Sequence, residues 1–101
     1  MKPYQVDQQK WEKFPPQTQI RNIAAELARA TDAQLHDRDA EWISQALERA
    51  LAMIDASIED KQWEQKRFLF GLRDAVADLY AHPTHPAMSR FIMNELLERH
   101  I

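Results

Sequence analysis

Apolar residues recur at spacings of three and four along most of this chain, the period of a helix buried on one side. Ile20, Ile23, Ala24, Leu27, Ala28, Thr31 and Leu35 share one broad stripe and predict a helix over about 16–36. Pro15-Pro16 opens it; proline at the first helical position gives up an N–H that would be unpaired in any case. The polar run His36-Asp37-Arg38-Asp39 breaks the pattern, and Asp37 or Asp39 can cap the next helix. That second helix is predicted over about 39–59, with Ile43, Ala46, Leu47, Ala50, Leu51, Ile54 and Ile58 on its apolar face. Trp42 and Met53 flank that face, while Glu41, Gln45, Glu48, Ala52 and Asp55 lie on the other side. Glu59-Asp60-Lys61 forms the second break, with Asp60 as the expected cap.

The third predicted helix, about 61–82, has apolar residues on two sides. Phe68, Leu72, Ala75, Val76 and Leu79 make one face, with Leu69 and Tyr80 at its edge. Trp63, Phe70, Ala77 and Ala81 stand roughly opposite at 100° per residue. Two apolar sides call for neighbours on two sides, within the fold or from a partner. Gly71 lies inside this helix, where glycine costs about 1 kcal/mol relative to alanine; close approach of another helix is the expected reason. His82-Pro83-Thr84-His85-Pro86 ends the helix. A shorter fourth helix is predicted over about 86–99, carrying Met88, Phe91, Ile92, Leu96 and Leu97. Residues 1–14 read as an N-terminal arm anchored by Trp11 and Phe14. Short breaks favour antiparallel neighbours. The expected fold is a single all-α domain over 1–101, an up-down bundle of three long antiparallel helices plus the shorter C-terminal one. The echo between Ile23–Ala30 and Ile43–Ala50 is offset by 20 residues and reflects shared packing, not a repeat array.

Composition sharpens this picture. The 101 residues contain one glycine and five prolines, none of the latter between Gln17 and His82; tight hairpin turns need more glycine than this. No cysteine is present, so disulfides, thiolate metal sites and cysteine nucleophiles are excluded, in keeping with a reducing compartment. The N-terminus lacks a signal-peptide apolar core, and no stretch approaches the ~20 apolar residues that span a bilayer. A cytoplasmic protein without membrane contact is expected. The formal charge of -3 gives no overall footprint for DNA or anionic lipid.

Trp11, Phe14, Gln19, Asn22-Ile23, Glu26 and Arg29-Ala30 form a W-x-x-F…Q-x-x-N-I-x-x-E-x-x-R-A pattern. Beyond it come Ala46, Glu48-Arg49-Ala50-Leu51, Asp55, Ile58, Glu59-Asp60, Arg73, Val76 and Asp78. Over about residues 11–80 this resembles a group of small all-α bacterial proteins without an assigned activity, which implies a helical fold. More distantly the layout resembles HEPN-type helical bundles, some of which are ribonucleases with an R-x(4–6)-H motif near their last helices. Arg29…His36 has that spacing here, but on the first helix.

Three constellations can carry chemistry. Asp78 and His82, four residues apart, with His85 at the helix end, can hold a divalent transition metal; as helix-end residues, the histidines can equally cap the last carbonyls. Asn22, Glu26 and Arg29 form a polar stripe opposite the first helix's apolar face, and Arg49, Arg73 and Asp78 can join it only if the fold brings those faces together. Such a ring would suit an anionic or polar ligand, against the simpler reading of a solvated face. Lys61, Lys66, Arg67 and Arg73, interleaved with Trp63 and Phe70, offer a basic-aromatic surface that can stack bases, diluted by Glu64 and Asp74. No glycine-rich phosphate loop exists, Ser44, Ser57 and Ser89 lack a nucleophile context, and Glu-x-x-His pairs are missing. No cofactor is expected. The reading adopted is a non-enzymatic interaction protein binding a protein partner or itself through Trp63, Phe70, Arg67 and Arg73; a HEPN-like ribonuclease or metal-dependent enzyme and a nucleic-acid-binding module are the alternatives.

Overall fold

The structure, a computed structural model, describes residues 4–36, 40–64 and 66–81. Four helices, all packed together, make an all-α fold: α1 (Gln8–Trp11), α2 (Pro16–Leu35), α3 (Ala40–Glu59) and α4 (Arg67–Ala81). The predicted helix over 86–99 lies outside the described residues, as do His82 and His85.

α3 is the central element, with α2 on one flank and α4 on the other. Side-chain bonds fix the directions. Gln19 meets Ser57 and Glu26 meets Arg49, so α2 and α3 run antiparallel. Arg73 meets Asp55 and Tyr80 meets Glu48, two rungs spaced seven residues apart in opposite order on α4 and α3. The core joins Ile20, Ile23, Leu27 and Ala30 of α2 to Ala46, Leu47, Ala50 and Ile54 of α3 and to Leu69, Leu72, Val76 and Leu79 of α4. Each set follows the period of three and four read from the chain. Thr31 is buried on α2 because its hydroxyl donates back to the Leu27 carbonyl at 3.0 Å, which satisfies it within the helix. Leu35, expected on the same stripe, is exposed instead, because it is the last residue of α2.

Three expectations need correction. The helix expected from residue 61 begins only at Arg67. Asp60 redirects the chain: its backbone N–H donates to the Ser57 carbonyl at 3.1 Å, and its Oδ1 accepts the Gln62 N–H at 2.9 Å. That aspartate turn competes with helix continuation. The Lys66 ammonium also caps α3 by donating to the Ile58 carbonyl. The gain is the burial of Trp63, only 8 % exposed, on the same core as Leu69 and Leu72. One unbroken helix would have aimed it away from them. Burying an indole contributes roughly 4 kcal/mol of apolar transfer, more than the few helical bonds given up. Trp63 therefore does not stand beside Phe70 on an outer surface.

Gly71 is the second correction: among the described residues, nothing lies within 4 Å of where its Cβ would be. It faces outward and is not a contact point for another described helix. The third concerns the edge of α4. Leu69 is wholly buried, while Tyr80 does stand at the edge, its hydroxyl donating to Glu48 at 2.7 Å. In the arm, Asp7 caps α1, and Trp11 is buried while Phe14 lies half exposed, edge-on to the Trp11 ring at 6.0 Å.

Candidate functional site

The densest chemistry in the fold is a buried polar knot centred on Gln19. Its position beside Ile20 on α2 turns the amide inward, towards the end of α3 and the turn after it. The Gln19 Nε2 donates to Asp60 Oδ2 at 2.7 Å, to the Phe14 carbonyl at 3.0 Å and to the Trp11 carbonyl at 3.3 Å. With two hydrogens for three acceptors, the longest of these is the shared one. Its Oε1 accepts from Ser57 Oγ at 2.7 Å and from Trp63 Nε1 at 2.8 Å. Ser57 Oγ in turn accepts from Trp11 Nε1 at 3.1 Å. Gln62 Nε2 donates to Asp60 Oδ2 and to the carbonyls of Glu12 and Phe14. One glutamine thus ties the arm, α3 and the α3–α4 turn to α2.

Burial pushes the Asp60 carboxyl up, but the Gln62 N–H, the Gln19 and Gln62 amides and the nearby Lys66 charge outweigh it, and its pKa lies below the ordinary carboxylate value. Asp60 is therefore an ionised hydrogen-bond acceptor, a structural anchor rather than a proton-transfer group. Sequence reading reached Asp60 only as a helix cap and missed Gln19, Ser57 and Gln62 as a unit. The available signal was their placement: Gln19 adjoins Ile20, and Ser57 comes three residues after Ile54 on the core face.

A second cluster uses the predicted polar stripe. Glu26 is buried, and its two oxygens bind Arg29 at 2.6 Å and Arg49 at 2.9 Å. The fold brings Arg49 to this stripe but neither Arg73 nor Asp78. Asn22, one turn earlier, is only partly buried. Arg29 is held by Glu26, while His36 Nδ1 lies 3.1 Å from Asp32, so the two ends of the Arg29…His36 pair are engaged separately. Asp78 is exposed on α4, and among the described residues no group of three or more metal-ligating side chains forms.

The basic-aromatic surface is divided by the fold. Trp63 enters the core, Lys66 serves the Ile58 carbonyl and Arg73 binds Asp55 at 2.6 Å. The Arg73 pKa is raised by that hydrogen bond and the Asp55 charge, and the Tyr80 hydroxyl is raised by its bond to Glu48. These groups fasten α4 to α3. What remains outward on α4 is a stripe at helical spacing: Arg67, Phe70, Asp74, Ala77 and Ala81, bordered by Gly71 and Asp78. Phe70, near its N-terminal end, is 53 % exposed. Among the described residues, Arg67, Asp74 and Asp78 make no ion pair.

Comparison with known proteins finds no matching family model, no matching curated protein and no matching solved structure. The functional reading therefore rests on this geometry.

Proposed function

We propose that the chain is a non-enzymatic helical-bundle interaction protein that engages a protein partner, or a second copy of itself, through the outer face of α4. The observation that supports this is Phe70. A large aromatic side chain stands half exposed in the first turn of a helix whose opposite face is fully used by the core. An aromatic side chain with small and charged neighbours is the composition of a protein–protein contact. Arg67 belongs to this surface, Arg73 borders it while bound to Asp55, and Trp63 supports it from within the core. The same reading keeps the bundle of three long helices with a short C-terminal helix over 86–99, and a cytoplasmic location. Among the described residues no helix is long and apolar enough to cross a membrane.

The test is capture of the tagged chain from native lysate, wild type against Phe70→Glu, with circular dichroism confirming that both are folded. Complexes lost in the variant support the reading. Complexes retained at wild-type yield with a folded variant refute it.

A further inference from the structure

The charges around Phe70 are not scattered. Along α4 the basic Arg67 stands at the N-terminal end, and on the same outer face the acidic Asp74 stands at the midpoint and Asp78 in the C-terminal half. A surface with opposite charges at its two ends is complementary to itself when turned end for end. That is the isologous arrangement of a two-fold dimer, in which every contact occurs twice.

We propose that the occupant of this face is a second copy of the chain, its α4 crossing antiparallel so that Arg67 of each copy pairs with Asp78 of the other. This inference rests on the reading of α4 as an interaction face. The register comes from helix geometry. Residues 67 and 78 are about 16 Å apart along the axis at ~1.5 Å per residue, so the two-fold axis passes between Leu72 and Arg73. Phe70 then falls at a height between Asp74 and Ala77 of the second copy, beside the small Ala77. Gly71 falls level with Asp74 of the second copy. The lack of a Cβ contact at Gly71 leaves room for that side chain, which keeps the two Asp74 carboxylates solvated and within reach of Arg67 of the opposite copy. A glycine costly to an exposed helix acquires a reason there. One face of a 15-residue helix buries less than the ~800 Å² per partner of a standard interface, so the dimer is weak and concentration-dependent.

Sedimentation equilibrium of the full chain across a concentration series reads this directly. The expected result is a shift from one-chain to two-chain mass, with Arg67→Asp and Asp78→Arg each raising the Kd about tenfold. The double swap R67D/D78R is expected to restore wild-type association. A second readout uses the absence of native cysteine. Mixed R67C and D78C chains are expected to cross-link on mild oxidation, while R67C alone does not, because a disulfide needs Cα atoms within about 7 Å. R67C cross-linking as readily alone, or a double swap no better than the single variants, overturns the register and with it the proposal. A wild type that stays at one-chain mass to about 1 mM overturns self-pairing. If its lysate complexes are still lost on Phe70→Glu, the α4 reading stands without self-pairing; if they persist, both fall.

Discussion

Replacing Gln19 by leucine tests whether one buried amide holds the arm and the α3–α4 turn in place. The side chain is wholly buried, and leucine has a similar volume, so packing changes little and polar satisfaction changes greatly. The variant removes the 2.7 Å bond to the ionised Asp60, worth about 1.5–3 kcal/mol, and the neutral bonds from Ser57 and Trp63, about 1 kcal/mol each. The Phe14 carbonyl keeps Gln62 and Asp60 keeps both Gln62 donors, so these sites are weakened rather than stripped. After the small apolar gain of leucine, the net loss is about 3 kcal/mol, or a fall in Tm of about 12–24 °C for a domain this size. Urea unfolding followed by tryptophan fluorescence measures it, with an unchanged m-value showing that the same structure unfolds. A loss below about 1 kcal/mol would show that the knot is not what fixes this end of the fold.

Asp60→Asn is expected to be less stable than wild type at pH 7. The Asp60 pKa is lowered in the folded state, so its contribution is present above the unfolded carboxylate value of about 3.9 and lost as pH falls through the folded one. Melts from pH 7 to pH 3 should show the gap between the two proteins closing at the acid end, and a constant gap contradicts this. Gly71→Ala should raise the Tm of the monomer by about 4–8 °C, since the helix gains about 1 kcal/mol and nothing within 4 Å resists the added methyl; a fall in Tm means the glycine is held in contact. Arg73→Ala should cost less than about 1 kcal/mol, because its pair with Asp55 is about half exposed on both sides; a larger loss in chemical denaturation would make that rung a principal fastening of α4.

Most of the helical layout was legible because periodicity reports which face is buried. Pro16 and the polar break after His36 placed α2 within a residue at each end, and the core residues Ile23, Leu27, Leu47, Ile54, Leu72 and Val76 fell where the stripes put them. The α3–α4 turn was not legible, because helix propensity runs unbroken through residues 61–66. What ends the helix there is tertiary: a core site for the Trp63 indole and an amide from Gln19, 44 residues away in sequence. The polar knot was hidden for the same reason. Gln, Ser and Asp are ordinary surface residues until the fold brings them together, and only their positions on apolar faces hint otherwise. Phe70 was placed correctly opposite the core by the 100° count, whereas Trp63 was not, since that count assumes a helix that the chain does not form.

Native mass spectrometry of the chain captured from native lysate and concentrated to about 0.1 mM, wild type beside folded Phe70→Glu, addresses the role of α4 most directly. With α4 as the contact face, the wild type is expected to be recovered with a second polypeptide, identical or different. The variant is then expected at single-chain mass, with its Tm within a few degrees of wild type. Recovery of both proteins in the same state, whether bound or alone, would contradict that role.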